Sequence, residues 1–377
     1  MAIQMHKLLK QLYGDWKAKE LLLGTMVAVM LVSFYHSRNV DAENFALGPQ
    51  NTSPVEQWQG KHFTAHSPLL IKRLVEEFSD SVSADAYWLW LGNSQLHTIN
   101  QKKDGDHLAP YWLRQGLACS KCSEPIGVSM PNANLQEYLV LERYLEQRLP
   151  IRGIIVSLVF DDLREDGIRN ELLDLLDGQV EADLGQLAAG RTILQSIKQS
   201  AQKGGALNMN PAGGGEKDFQ KRLERALETD LGYYFPLWND RSHLKAIFTI
   251  DLYYVRNWLL NIEPTTVRKI IEPRYERNMQ ALRDLLGAAQ REGRDVLVYI
   301  VPIRQDLPLP YDMKRYEQWK QVVERLAHDH GARFLNLETL VPPEHWGTYH
   351  NDDVDFMHFQ GPGHQLLAKE ILKQIGG

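Results

Sequence analysis

The sequence has few cysteines, no excess of basic charge and no apolar run of full membrane-spanning length. Two cysteines in 377 residues cannot form a disulfide-stapled scaffold or a four-cysteine zinc site. The 42 Lys and Arg residues against 48 Asp and Glu residues give a net charge of −6, which argues against nucleic acid as a partner. With 44% hydrophobic and 24% charged residues, the composition is that of a folded globular protein.

The longest uncharged apolar run lies near the N-terminus and follows a basic segment. Residues 1–20 carry four lysines, and residues 21–35 carry no charge. A positive flank before an apolar run is typical of an export signal and directs the rest of the chain out of the cytoplasm. The long polar lead favours a retained anchor in the bilayer, whereas Val40-Asp41-Ala42 is compatible with cleavage and a buried core helix is a further alternative. We predict a cytoplasmic segment at 1–20 and a membrane anchor at 21–35.

The rest of the chain alternates between strand and helix patterns. Turn-rich residues 36–68 predict a stalk, and residues 69–377 predict one domain. Five short apolar runs are separated by helical patterns, and they lie at 86–91, 126–130, 154–160, 296–301 and 332–337. This alternation indicates an α/β fold with a doubly wound, flavodoxin-like parallel sheet of about five strands and helices on both faces. Residues 180–294 interrupt it and predict a helical insertion.

A serine follows the first predicted strand, in Gly92-Asn93-Ser94. In open parallel sheets, sites form at the carboxyl ends of the strands. Near the other end of the chain, Asp355 precedes His358 by three residues, so its carboxylate can accept the Nδ1 proton and leave Nε2 as a base. A serine hydroxyl needs such an oriented base to act as a nucleophile. We predict the triad Ser94, His358 and Asp355; the alternative is a helix-capping serine and a structural Asp/His turn.

These two motifs resemble those of the SGNH/GDSL hydrolase superfamily, with Asn93 in place of that family's aspartate. The resemblance implies acyl-enzyme chemistry at Ser94 and no cofactor. The family's later glycine and asparagine motifs have no match in Pro131-Asn132-Ala133-Asn134 or Phe160-Asp161-Asp162. As oxyanion donors or substrate contacts we predict, besides the N–H of Ser94, the side chains of Asn93, Asn132, Asn134, Asp161 and His97. A packing or capping role is the alternative for His97, and a strand-end turn or helix cap is the alternative for Asp161.

The layout of an anchored, exported domain is similar to that of the D-alanine transfer proteins of teichoic acid synthesis and the alginate O-acetyltransferases. That resemblance implies an O-acyltransferase at the bacterial inner membrane, with its catalytic domain in the periplasm or extracytoplasmic space. The implied substrate is an envelope or exported polysaccharide, and the implied partner is a membrane-bound O-acyltransferase. An acyl-removing esterase and a non-catalytic envelope assembly protein are the alternatives.

Two further groups have other interpretations. Cys119 and Cys122 form a C-x-x-C, which in an exported domain predicts a local disulfide, with two free thiols or a redox pair as alternatives. The sequence also holds His97, His358, Asp355 and His364, but their spacing matches no metal motif, and we predict no metal.

Overall fold

The computed structural model describes residues 30, 50–79, 87–117, 124–203, 266–348 and 354–376. Apart from Met30, these residues belong to one unit made of residues 47–211 and 263–377. None of the helices in this described part has the length and hydropathy needed to cross a membrane. Five predicted features lie wholly or partly outside it: segment 1–20, the anchor at 21–35 apart from Met30, residues 36–49 of the stalk, the Cys119 and Cys122 pair, and residues 204–265 of the insertion.

Strands and helices alternate along the described chain. The strands are β1 (Asn51–Thr52), β2 (Gln57–Trp58), β3 (Lys61–His62), β4 (Thr64–Ala65), β5 (Tyr87–Gly92), β6 (Ile99–Asn100), β7 (Glu124–Ser129), β8 (Ile151–Leu158), β9 (Asp295–Ile300), β10 (Arg333–Asn336), β11 (Trp346–Thr348) and β12 (Val354–Phe359). The helices are α1 (Pro68–Phe78), α2 (Ser94–His97), α3 (Ala109–Leu117), α4 (Leu135–Glu146), α5 (Gly178–Gln186), α6 (Ala188–Lys203), α7 (Glu272–Arg291), α8 (Met313–Asp329) and α9 (Gly361–Ile375). Short 3₁₀ segments cover Phe160–Arg164, Asn170–Leu175 and Pro343–His345.

Six strands form one parallel sheet in the order β10-β9-β8-β5-β7-β4. The five longer strands are the ones that the sequence predicted, and they follow the flavodoxin-like order. The order reverses direction at β5. Because parallel crossovers are right-handed, the connection from β5 to β7 lies on the opposite face of the sheet from those leading to β8 and β9. The predicted α/β fold with a parallel sheet is confirmed, with one strand more than expected.

The two central strands are buried along nearly their whole length. All six residues of β5 are buried, and β8 has a single half-buried residue, Arg152. Strands covered on both faces read as continuous apolar runs, which is why the sequence revealed them. Trp90 of β5 also donates a hydrogen bond from Nε1 to the hydroxyl of Tyr299 in β9, at 3.1 Å.

Residues 50–68 belong to this fold, so the predicted stalk is wrong for that stretch. β4 pairs with β7 and adds the sixth strand, and β1 pairs antiparallel with β6. β2 and β3 form a hairpin that turns at Gln59 and Gly60, with φ angles of 51° and 81°. These strands are two residues long, too short to show the alternation by which a sequence reveals a strand.

The structure also places the C-terminal border of the predicted insertion earlier than residue 294. Helix α7 lies within residues 180–294, but it packs against α4 and leads directly into β9. It buries one apolar face, including Tyr275, Met279 and Leu282. Residues 272–291 are therefore a crossover helix of the sheet and not part of an insertion.

We predict that Gly153→Ala lowers the free energy of unfolding by about 1–3 kcal/mol, as overpacking does in well-packed cores. A Cβ at Gly153, in β8, would lie 2.4 Å from the ring of Trp88 and 2.7 Å from the backbone carbonyl oxygen of Asp295. The carbonyl belongs to a neighbouring strand, so the sheet has to move. Urea denaturation of the full chain, followed by tryptophan fluorescence, measures the change.

Gly185→Ala is the control, because a Cβ at this helical position meets nothing within 4 Å. It should leave the free energy of unfolding unchanged or raise it by up to about 1 kcal/mol. Equal stability of the two variants would contradict the packing at Gly153.

Candidate active site

Ser94 is placed by a tight turn at the carboxyl end of β5. A Cβ at Gly92 would lie 2.7 Å from the Cβ of Leu96 and 2.9 Å from Oγ of Ser157, so only glycine fits without displacement. Asn93 then caps α2, its Oδ1 accepting a hydrogen bond from the N–H of Gln95 at 3.0 Å. The strand order reverses at β5, and this is the edge where open α/β sheets bind ligands.

The structure brings the three predicted triad residues together. The Oγ of Ser94 donates to Nε2 of His358 at 3.0 Å, and Nδ1 of His358 donates to Oδ2 of Asp355 at 3.0 Å. Both Asp355 and His358 lie on β12, which pairs with β11. All three side chains are buried. This arrangement can deprotonate a serine hydroxyl as it attacks an acyl carbon.

Asp355 is held by a complete set of donors. Its Oδ2 also accepts from Nδ2 of Asn100 at 2.9 Å and of Asn51 at 3.3 Å. Its Oδ1 accepts from the N–H groups of Met357 and His358 at 2.8 Å and 3.0 Å. Burial would raise the pKa of Asp355, but His358 and these backbone donors lower it below its ordinary value. The carboxylate is therefore ionised and fixed in direction.

Sequence reasoning missed both asparagines and the glutamine next to Ser94. Asn51 lies in the stretch predicted as a stalk, and Asn100 follows α2 without any motif. Gln95 donates from Nε2 to the carbonyl oxygens of Pro302 and Met357, at 3.0 Å and 2.9 Å. It thereby links the serine helix to the end of β9 and to β12. No local signal in the sequence distinguishes these amides from surface ones.

The side chain of Asn93 is engaged in structure, which corrects its prediction as an oxyanion donor. Its Nδ2 donates to both carboxyl oxygens of Asp162, at 3.0 Å and 3.3 Å, while its Oδ1 caps α2. Burial raises the pKa of Asp162 well above its usual range, despite the hydrogen bond from Asn93.

Asn134 is likewise committed to a helix cap. Its Oδ1 accepts from the N–H groups of Gln136 and Glu137, and its Nδ2 donates to the carbonyl of Gly167 at 2.8 Å. Asparagine is favoured at N-caps for this reason, and the oxyanion prediction for Asn134 is corrected. Asn132 is exposed with a φ of 51°, and its role as a donor stays a prediction.

Asp161 lies just after β8 and is surrounded by donors. It accepts from the guanidinium groups of Arg268 and Arg164, at 2.5 Å and 3.3 Å, and from the hydroxyl of Tyr311 at 3.2 Å. These contacts account for its position, and a substrate contact by Asp161 stays a prediction. His97, by contrast, is buried on the same turn as Ser94, and its Nδ1 lies 2.9 Å from Oγ of Ser129.

His364 is a buried neutral histidine behind the triad. Its Nε2 donates to the carbonyl of Thr98 at 3.0 Å, and its Nδ1 accepts from the N–H of Ala109 at 3.2 Å. Burial lowers the pKa of His364 to about 3, although the Thr98 carbonyl favours the protonated ring. Both nitrogens are used by the backbone, so His364 is structural.

No protein-family model and no curated protein matches this sequence. Solved structures do. A GDSL-like lipase from Bacteroides thetaiotaomicron is 10% identical over 82% of this chain and 97% of its own, with a TM-score of 0.37. An acetylxylan esterase from Geobacillus stearothermophilus is 11% identical over 78% of this chain and 96% of its own, with a TM-score of 0.36.

We predict that the fold loses stability as the pH falls from about 6.5 towards 3, in part through His364. Because the pKa of His364 is about 3 in the folded chain and near 6.5 when unfolded, the unfolded state binds the extra proton in this window. His364→Gln should therefore show a shallower loss, by up to about 1.4 kcal/mol per pH unit. Urea denaturation between pH 4 and 7 measures both slopes.

His328→Gln, at an exposed position on α8, provides the matched control and should keep the wild-type slope. Parallel slopes for wild type and His364→Gln would show that His364 takes up its proton equally in the folded and unfolded chains.

Proposed function

We propose that this protein is a serine-dependent acyl-transfer enzyme that forms an acyl-enzyme at Ser94. The single observation that carries the proposal is the unbroken hydrogen-bond chain from the serine hydroxyl through His358 to the ionised Asp355. A helix-capping serine does not need an oriented imidazole, and at this helix Asn93 is the capping residue.

In the first half-reaction, Oγ of Ser94 bonds to the carbonyl carbon of an acyl ester while Nε2 of His358 takes the hydroxyl proton. The carbonyl electron pair moves onto oxygen. When the bond to the alcohol breaks, His358 returns its proton to the leaving alkoxide. The products are an acylated Ser94 and a free alcohol, and Asp355 stabilises the imidazolium in between.

In the second half-reaction, the oxygen of an acceptor hydroxyl bonds to the acyl carbon while His358 takes the hydroxyl proton. The bond between the acyl carbon and Oγ of Ser94 then breaks, and His358 returns the proton to Oγ. The N–H of Ser94 is the oxyanion donor that we propose, because the neighbouring N–H of Gln95 is already bonded to Asn93. Asn132 is a second candidate, since it follows the adjacent strand β7.

We further propose that the acceptor is a hydroxyl of an envelope or exported polysaccharide and that the enzyme works outside the cytoplasm beside a membrane-bound O-acyltransferase. The charge pattern of residues 1–35 and the family resemblance of the motifs support this assignment. An esterase uses the same first half-reaction with water as the acceptor, so the triad is compatible with both. The acceptor therefore has to be identified by product analysis.

We predict that a fluorophosphonate probe labels the full-length protein at Ser94 and that Ser94→Ala abolishes labelling. His358→Ala should slow it by roughly 10³–10⁶-fold, because the hydroxyl then lacks its base. Intact-protein mass spectrometry and gel fluorescence measure the adduct. The control Ser196→Ala replaces an exposed serine of α6 and should label like wild type.

Wild-type protein that stays unlabelled, or Ser94→Ala that labels equally well, would reject the acyl-enzyme and leave the non-catalytic assembly protein as the better account.

The acceptor has a test of its own. With an acetyl ester as donor and excess free sugar present, we expect acetylated sugar among the products by mass spectrometry, in a reaction that Ser94→Ala lacks. Acetate and the free alcohol, without acetylated sugar, would instead identify an esterase.

A further inference from the structure

A second polar group lies at the same sheet edge as the triad. Strands β4, β7 and β5 are neighbours and parallel, with Ala65 opposite Val128 and Ser129 opposite Gly92. His66 directly follows β4, Ser129 ends β7, and Ser94 follows β5. Since the carboxyl ends of parallel strands share one edge, these residues are close to the nucleophile.

His97 connects this group to the nucleophile. It lies three residues after Ser94 in α2, a spacing that places two side chains on one helical face. Its Nδ1 is 2.9 Å from Oγ of Ser129, and its ring stacks on that of His66 with centroids 5.1 Å apart and planes at 22°. The ring is thus held on one face and at one nitrogen.

The other ring nitrogen of His97, Nε2, has no hydrogen-bond partner among the described residues. Only 2% of the residue is exposed, and within the described ranges Nε2 is buried without a hydrogen-bond partner. A buried polar atom left unpaired is costly, and native structures pair almost all of them. Next to Ser94, this unpaired nitrogen can hydrogen-bond a group that enters the site from outside the chain.

The surroundings restrict the chemistry of that partner. Burial and the nearby His66 and His358 lower the pKa of His97 well below its ordinary value, against the carbonyl of Asn93, which favours protonation. A neutral ring has no charge to attract an anion. The hydroxyl of Ser129 can donate to Nδ1 or accept from it, so this contact by itself allows both neutral tautomers. A hydroxyl ligand can complement either tautomer, whereas a carbonyl oxygen fits only one.

We propose that Nε2 of His97 hydrogen-bonds a hydroxyl group on the alcohol part of the substrate, so that His97 selects polyhydroxylated alcohols such as sugars. The inference rests on the proposed acyl-enzyme at Ser94. His97 is a specificity-determining residue that contacts the alcohol next to the ester and leaves proton transfer to His358.

Two substitutions test the roles of the two ring nitrogens of His97 one at a time. In His97→Asn, the amide reproduces the position of Nδ1 beside Ser129 and provides nothing at Nε2. In His97→Gln, the longer side chain carries an amide to the position of Nε2. The two substrates are 4-nitrophenyl acetate, whose leaving group has no neighbouring hydroxyl, and a mono-O-acetyl methyl glycoside.

For His97→Asn we expect kcat/KM with the acetylated glycoside to fall about 10- to 100-fold more than with 4-nitrophenyl acetate, since a site built for a hydroxyl penalises its loss. His97→Gln should restore most of that difference. His328→Asn, at an exposed position of α8, is the matched control. It should leave kcat/KM at the wild-type value with both substrates.

Equal losses on both substrates, or no loss with the glycoside, would overturn the proposal. If His97→Asn fails to fold by thermal denaturation, Ser129→Ala carries the same test. It frees Nδ1 with His97 in place and should lower kcat/KM selectively for the glycoside; an unselective effect would also overturn the proposal. If the wild-type chain forms no fluorophosphonate adduct and cleaves neither ester, the proposed function itself fails, and this inference fails with it.

Discussion

A buried carboxylate needs donors, and the way this chain supplies them to Asp355 shapes the rest of the site. A lone ionised group in a dry interior is unstable, so it has to be paired and hydrogen-bonded. Asn51 and Asn100, which face each other across the β1 and β6 pair, both donate to Oδ2. The small sheet outside the main one thus brings two amides to a single oxygen. With the carboxylate fixed in this way, Nδ1 of His358 is oriented by its hydrogen bond, and Nε2 faces Ser94.

Hydrogen bonds also connect Ser94, His358 and Asp355 to the main sheet. Ser94 directly follows the central strand β5, whereas His358 lies on the peripheral strand β12, so their separation depends on contacts between these elements. Gln95 provides such contacts through the carbonyls of Pro302 and Met357, the first just beyond β9 and the second next to His358. Sites held by regular elements and their hydrogen bonds are more precise than sites on free loops. Ser94 and His358 are therefore positioned by backbone from three parts of the chain.

The sequence revealed the features that depend on neighbouring residues, and it missed those that depend on the pairing of strands distant in the chain. The central strands are continuous apolar runs, which predict buried strands. The three-residue spacing of Asp355 and His358 predicts the hydrogen bond between them that the structure contains. β4 and Asn51 were missed because two-residue strands have no periodicity, so the pairing of β1 with β6 and of β4 with β7 becomes visible only in three dimensions. Asn93 and Asn134 were assigned to the oxyanion hole because asparagine serves both as an N-cap and as a side-chain donor. The direction of the amide decides between the two roles, and composition holds no information about direction.

The two buried histidines beside the triad are informative because they differ. The backbone satisfies both nitrogens of His364, one as donor and one as acceptor, which is how a purely structural histidine is accommodated in this core. His97 is buried to a similar extent and carries the same neutral ring, yet its described contacts account for Nδ1 and the ring face alone. If burial had been the only requirement, an apolar side chain would have filled the space without leaving a polar atom to satisfy. His97 thus has one nitrogen anchored and the other unpaired within the described residues, and the proposed contact with a substrate hydroxyl rests on this difference from His364.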